Sequence, residues 1–284
     1  MTKRGHVYIN GRIVPAHEAA VSPFDVGLLR GYAVFDLLQT IGGRPFQLHE
    51  HLVRFRESAA MLGLEVPIGD DEITGIIETL LGLNDFDEST VRMVLTGGES
   101  DDGMHFDPTT PTLVILTHPM FAVPAEFYST GAKLITEEYR RELPQAKTTN
   151  YISWMRNHGR LEEAGALDVL YHADGYVSEA ATASFYLVTD GRIHAPDEGV
   201  LRGTVGTAVL ELAAVEYDIV YGPLSTQDVA DADEAFITSS VRGVIPIVRI
   251  DDAIVGSGRV GPVSARLVGL CQDWMNEFSD SGRR

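Results

Sequence analysis

Pro119-Met120-Phe121-Ala122-Val123-Pro124 sets two prolines around an apolar patch. Proline lacks the N–H that a central strand needs and is disfavoured within a helix, so no regular element runs through this segment. The sequence on either side must therefore form its own core. With 284 residues and 44% hydrophobic side chains there is material for two. The reading is a small N-terminal α+β domain over 1–118, a linker over 119–126 and a larger C-terminal domain over 127–284.

In the first part, His6 to Ile9 and Arg12 to Val14 flank Asn10-Gly11, a favoured hairpin turn. Ala33 to Thr40 and Arg44 to Gln47 flank Gly42-Gly43 as a second hairpin. Helices are expected from about His49 to Leu62 and from Asp71 to Leu81, the latter with Ile73, Ile76, Ile77, Leu80 and Leu81 near helical spacing and Gly82 placed to end it. Thr90 to Thr96 and Thr112 to Leu116 read as strands. Beyond the linker, strands are expected near 132–137, 168–173, 183–189, 234–238 and 245–250. Helices are expected near 151–164, 204–217 and 263–278.

A formal charge of −19 makes nucleic acid and anionic membranes poor partners. The acidic runs Asp70-Asp71-Glu72 and Asp231-Ala232-Asp233-Glu234 read as helix starts or surface. Few lysines, many arginines and excess carboxylates together point to a protein kept soluble in high salt. One cysteine, Cys271, excludes an internal disulfide framework or a multi-cysteine metal site. His49 and His51, two apart on a helix, do not share a face, so no metal site is expected. After Met1-Thr2-Lys3-Arg4 the chain goes directly to Gly5-His6-Val7-Tyr8-Ile9, without the apolar run of a signal peptide or a membrane-spanning stretch. The expected compartment is the cytoplasm.

The chain has nineteen arginines and only three lysines, Lys3, Lys133 and Lys147. Where charge alone is needed, this composition supplies arginine. An amine, unlike a guanidinium, can lose its proton and attack a carbonyl to form a Schiff base. Lys147, in Ala146-Lys147-Thr148-Thr149-Asn150-Tyr151, is thus a candidate for covalent chemistry. Thirty-two residues on comes Val177-Ser178-Glu179-Ala180-Ala181-Thr182-Ala183-Ser184-Phe185, a carboxylate followed by small residues and a strand.

In these motifs, their order and their spacing, the chain resembles the fold-type IV pyridoxal-phosphate enzymes. That family comprises the branched-chain aminotransferases, D-amino-acid transaminases and aminodeoxychorismate lyases. The resemblance runs from the first hairpin to the last helix. It implies a two-domain α+β fold, with a small N-terminal α/β sandwich and a larger C-terminal pseudo-barrel, assembled as a homodimer. It also implies that Lys147 holds pyridoxal 5'-phosphate as a Schiff base and shuttles a proton, that Glu179 faces the pyridine nitrogen, and that Tyr151 bonds the cofactor's 3′-oxygen.

For the phosphate, Leu201-Arg202-Gly203-Thr204-Val205-Gly206-Thr207 resembles the family's cup at a helix start, where free N–H groups favour an anion. Leu201, Gly203, Thr204 and Val205 are its cofactor-binding candidates. Many relatives have a β-branched residue and threonine at the positions of Thr204 and Val205, and often arginine at that of Gly206; this chain departs at the last two. Ser239 and Ser240 resemble the second hydroxyl cluster. In His49-Glu50-His51-Leu52-Val53-Arg54, Arg54 matches the arginine that reaches the phosphate.

Substrate residues are implied in the same way. In Leu28-Leu29-Arg30-Gly31-Tyr32-Ala33-Val34-Phe35, Arg30 stands where many relatives have an aromatic or apolar residue, and Phe35 where many D-specific relatives have tyrosine. Arg92 is a second candidate for the substrate carboxylate. The Arg-x-His carboxylate trap of familiar D-amino-acid transaminases is missing from Gly97-Gly98-Glu99-Ser100-Asp101-Asp102-Gly103-Met104-His105. Arg156 and Arg242 have no assignment. The expectation is a transaminase passing an amino group between an amino acid, most readily a D-amino acid such as D-alanine or D-glutamate, and a 2-oxo acid such as 2-oxoglutarate. An L-branched-chain aminotransferase and an aminodeoxychorismate lyase are the alternatives within the family. A cofactor-free binding protein is the alternative outside it, and the Lys147, Tyr151 and Glu179 set argues against it.

Overall fold

The structure is a computed structural model that describes residues 5–282; the Met1-Thr2-Lys3-Arg4 start lies outside them. Two compact units are present, one of Met1–Phe121 with Ala146–Asn150, the other of Ala122–Gln145 with Tyr151–Arg284. The division at Phe121 falls inside the proline-bracketed segment. A linear division would leave Ala146–Asn150 in the second unit, but their backbone hydrogen bonds tie them to the first.

Among the described residues, the first unit has strands β1 (His6–Ile9), β2 (Arg12–Pro15), β3 (Ala33–Ile41), β4 (Arg44–Pro45), β5 (Ser89–Thr96) and β6 (Thr112–Pro119). They form one antiparallel sheet in the order β2-β1-β6-β5-β3-β4. Asn10 and Gly11 both adopt positive φ (43° and 85°), which turns β1 into β2. Helices α1 (Val26–Arg30), α2 (Leu48–Met61) and α3 (Asp70–Asn84) complete the unit. Ile73, Ile77 and Leu80 form the buried stripe of α3 and share a core with Val91, Met93 and Leu95 of β5. Gly82 does not end this helix. Asn84, whose side chain receives His6 N (2.6 Å) and donates to His6 O (3.0 Å) and Thr117 Oγ1 (2.6 Å), holds a further turn in place.

Register divides the residues of β3 and β5 between two faces. Val34 pairs with Leu95, Asp36 with Met93 and Leu38 with Val91, all buried; Phe35 pairs with Val94 and Leu37 with Arg92 on the other face. Asp36 is thus a carboxylate within the core. It is fully buried, and Arg54 of α2 forks onto it through Nε to Oδ2 and Nη2 to Oδ1, both 2.8 Å. His51 Nδ1 lies 2.6 Å from Oδ1.

The second unit contains β7 (Ala132–Glu138), β8 (Asp168–Ala173), β9 (Tyr176–Ala180), β10 (Ser184–Thr189), β11 (Arg192–Ala195), β12 (Ile219–Tyr221), β13 (Leu224–Ser225), β14 (Glu234–Ser239), β15 (Gly243–Ile250) and β16 (Ala253–Ile254). Their order is β12-β11-β10-β14-β15-β7-β8-β9-β13, with β16 on β15, in a sheet curled into a half-barrel. Its helices are α4 (Glu126–Thr130), α5 (Ile152–Arg156), α6 (His158–Ala164), α7 (Thr204–Ala213), α8 (Thr226–Asp231) and α9 (Pro262–Ser281). The single helix expected over 151–164 is broken at Asn157, because Glu137 of β7 accepts from both Ser153 Oγ and Asn157 Nδ2. Expected to reach Tyr217, α7 stops at Ala213, whose carbonyl is taken by Glu216 N and Tyr217 N (2.9 Å each). Glu234 corrects the surface reading of its acidic run: buried, it accepts from Val263 N (3.0 Å) and Ser264 N (2.7 Å) at the start of α9.

Burial alone would raise the Asp36 pKa, but Arg54 and His51 outweigh it and hold the carboxyl below the usual aspartate range. A depressed native pKa gives stability that is complete above that range and is lost as pH falls through it. Replacing Asp36 by Asn leaves Arg54 buried without its counter-charge, a loss of about 3–5 kcal/mol. Urea unfolding at neutral pH should show it, and the difference between Asp36→Asn and the parent protein should narrow in acid.

Candidate active site

Lys147 is set by its backbone. Its N–H donates to Ser58 Oγ (3.0 Å), its carbonyl accepts from Phe35 N (2.9 Å), and Thr149 N donates to Ala33 O (3.0 Å). The segment thus adds itself to β3, as the bridge between Val34 and Thr148 also records. Lys147 Nζ lies 4.9 Å from the centre of the Phe35 ring, and the Arg92 guanidinium carbon lies 4.9 Å from the same centre. The amine and the guanidinium are therefore no further apart than twice that distance. Arg54 belongs to the same unit, pinned by Asp36. Burial lowers the His51 pKa below the ordinary histidine value, Asp36 opposes this, and Arg54 and Lys147 add to it. Facing the carboxylate, the ring donates Nδ1–H to Asp36.

Arg30 is placed differently. It ends α1, is exposed, and donates Nη1 to Leu29 O (3.0 Å). Its guanidinium lies against the Gly97 to His105 loop, since a Cβ on Gly103 would come within 3.5 Å of Nη2. That loop is wound about Asp102, which accepts from Met104 N (2.8 Å), His105 N (2.7 Å) and His105 Nδ1 (2.6 Å).

The second unit carries Glu179 at the end of β9, 4% exposed. Its Oε1 accepts from Arg141 Nη1 (2.7 Å) and its Oε2 from Leu201 N (3.2 Å). Burial alone would lower the Arg141 pKa, but the Glu179 carboxylate, with Tyr151 and Tyr171 behind it, raises it. Tyr151 stands at the N-cap of α5. The backbone N–H of Leu201 is thus spent on Glu179, and Val205 turns its side chain into the core with Val209 and Phe236. No side chain caps α7, whose Thr207 N donates to Gly203 O (2.9 Å). Thr204 Oγ1 and Ser240 Oγ face each other at 3.3 Å, whereas Ser239 Oγ accepts from Arg242 N (3.3 Å) and Nε (3.1 Å).

The absence of a side chain at Gly206 has a local cause. A Cβ there would stand 2.3 Å from Tyr186 Oη and 2.8 Å from Thr238 Oγ1, and one on Gly203 would stand 2.7 Å from Ser184 Oγ. The floor of the cup is built from these hydroxyls, so the backbone must stay bare.

Residues 33–250 match the model of the family "Amino-transferase class IV". The chain belongs to the class IV aminotransferases. It is 30% identical over 277 residues to a putative branched-chain-amino-acid aminotransferase of Methanocaldococcus jannaschii, covering 92% of this chain and 93% of that one. It is 26% identical over 268 residues to a D-alanine aminotransferase of Listeria monocytogenes, with the same coverage. Among solved structures, the T.th. branched-chain amino acid aminotransferase with pyridoxamine 5'-phosphate superposes at a TM-score of 0.87 and 26% identity, over all of this chain and 96% of that chain. The fold is that of the fold-type IV enzymes, and the protein is a pyridoxal-phosphate-dependent aminotransferase acting on amino and 2-oxo acids.

The residues present fit that cofactor. Bare glycines at the mouth of an uncapped helix, beside two facing hydroxyls, suit a phosphate. A buried carboxylate such as Glu179 suits a protonated ring nitrogen, and the Lys147 side chain is an amine of the kind that forms a Schiff base. Sequence reasoning missed Arg141, whose partner on another strand leaves no spacing signal. It also missed Asp36, for which a signal existed in the form of one carboxylate inside the apolar run Ala33-Val34-Phe35-Asp36-Leu37-Leu38.

Gly206→Ala should cost about 1–3 kcal/mol through overpacking. Adding Tyr186→Phe, which removes the nearest atom of the clash, should recover part of that loss in thermal unfolding, whereas Tyr186→Phe alone should not stabilise.

Proposed function

We propose that this aminotransferase acts on D-amino acids, exchanging their amino group with a 2-oxo acid such as 2-oxoglutarate. The observation that carries the reading is the shared contact of Arg92 and Lys147 with one aromatic ring, Phe35. An α-carboxylate sits one bond from the Cα that must meet the lysine amine, so a guanidinium on the same aromatic ring as that amine is suited to bind it. Without the arginine-bearing trap in the 97–105 loop, Arg92 is the carboxylate residue of this reading. Arg30, exposed against that loop, is its second member.

Bound pyridoxal phosphate supplies an aldehyde for the amino group and a ring that accepts the electron pair left when the Cα proton departs. In this reading Lys147 holds the cofactor and moves that proton on its amine. Glu179 keeps a proton on the ring nitrogen and Tyr151 bonds the 3′-oxygen. The N–H groups opening α7, the Thr204 and Ser240 hydroxyls and Arg54 hold the phosphate. Phe35 forms a wall without a hydroxyl, and Arg92 orients the carboxylate. We further infer a cytoplasmic homodimer.

A branched-chain L-amino-acid reading is favoured by the Methanocaldococcus relative and the T.th. structure. Half-reactions separate the two. The holoenzyme should lose its aldehyde-form absorbance with D-alanine or D-glutamate and not with L-leucine; conversion by L-leucine alone would refute D-specificity. Arg92→Ala should raise KM for amino acids about tenfold or more, the worth of a charge-assisted pair, with little change for an amine lacking a carboxylate. Borohydride reduction followed by peptide mapping should find the cofactor mass on Lys147, and its appearance on another residue would remove Lys147 from the role.

A further inference from the structure

Arg242 had no assignment from the sequence, and its surroundings give it one. It follows Ser240 in the turn between β14 and β15. Its backbone N and Nε both point at Ser239 Oγ, 3.3 and 3.1 Å away. Two donors on one hydroxyl turn Ser239 back into its own turn and leave Ser240 as the hydroxyl that meets Thr204. The far end of the side chain reaches another element. Nη2 donates to Thr182 Oγ1, to Thr182 O (3.3 Å) and to Asp168 Oδ2 (3.4 Å). Thr182 in turn donates to the same Asp168 oxygen from Oγ1 and from N (3.2 Å), and Asp168 is fully buried. Tyr128 Oη donates to the Arg242 carbonyl (3.0 Å), holding the backbone as well.

We propose that Arg242 is a positioning residue for the cofactor phosphate, clamping the Ser239-Ser240 turn to the Thr182 loop that follows Glu179. The proposal rests on the reading of Thr204 and Ser240 as phosphate donors and of Glu179 as the partner of the ring nitrogen. Those groups address opposite ends of one rigid aromatic molecule, so their separation must be held to a fraction of an ångström. A planar guanidinium that meets several acceptors at fixed angles does this, and a single ammonium does not. The clamp is buried and charge-assisted: the Arg242 side chain is 12% exposed and that of Asp168 0%.

The test compares the affinity of cofactor-resolved enzyme for pyridoxal phosphate and for pyridoxal, which lacks the phosphate, by absorbance titration. Arg242→Met should weaken pyridoxal phosphate binding about tenfold or more while changing pyridoxal binding much less. Ser240→Ala should show the same selective loss, and the double variant should lose little beyond either single one. A variant damaged only in its folding would bind both ligands worse by the same factor, which would overturn the proposal. If Ser240→Ala loses the preference for the phosphorylated ligand and Arg242→Met keeps it, the phosphate reading stands and the positioning role falls. If Ser240→Ala keeps the preference, the phosphate reading falls and takes the positioning role with it. Should Arg242→Met not fold, Thr182→Val, neutral and nearly isosteric, breaks the same clamp and is judged by the same ratio.

Discussion

Two backbone hydrogen bonds, Phe35 N to Lys147 O and Thr149 N to Ala33 O, fix Lys147 against β3. They join Ala146–Asn150, from the second half of the chain, to β3 of the first unit through a single antiparallel bridge, Val34 to Thr148. The alternation of a strand then does the rest. Phe35, next to the Lys147 carbonyl, turns its ring to the amine, while Asp36, one residue later, turns to the opposite face and enters the core. A slip of one residue in β3 would put a carboxylate beside the amine and a phenyl ring against Arg54. Register therefore decides which side chain meets the Lys147 amine as well as how the core packs, and the buried residues Val34 and Leu38 that fix it lie on the face opposite Phe35.

Both units bury a carboxylate and answer it with arginine: Asp36 with Arg54, Glu179 with Arg141. The two pairs have different geometry. Asp36 receives a two-pronged fork and a histidine, which use both of its oxygens. Glu179 receives one prong from Arg141 on one oxygen and one backbone N–H on the other. The composition has the same logic. Arginine stays charged when buried and suits fixed pairs of this kind, in a chain with nineteen arginines and three lysines.

Much of this was legible in the sequence where the cause is local. Asn10-Gly11 specifies its turn through positive φ, and the stripe of α3 specifies its buried face. The failures have tertiary causes. Gly82 does not stop α3 because Asn84 is held by residues of β1 and β6. The 151–164 helix breaks because Glu137, on a strand, competes for Ser153 and Asn157. Glu234 reads as surface in an acidic run, yet it satisfies two N–H groups of a helix nearly thirty residues away. In each case a side chain satisfies a polar group that sequence distance hides, and propensity has no access to that term.

The departures from the family pattern in the phosphate cup have the same kind of origin. Read from the sequence alone, Gly206 departs from the pattern that the resemblance implies. In the structure Tyr186 Oη and Thr238 Oγ1 occupy the space that any side chain there would need. Tyr186 is buried, stacks on Phe236 at 4.9 Å, and belongs to the core behind α7. The start of α7 thus has bare backbone over a floor of hydroxyls. In a chain carrying −19, a long basic side chain over the cup would attract surface carboxylates as readily as a phosphate, whereas N–H groups aimed from a backbone are fixed by the helix. Fixed donors of this kind keep their aim only if the elements carrying them do not drift, and Tyr186 of β10, Phe236 of β14 and Val244 of β15 share one core with Val205 and Val209 of α7.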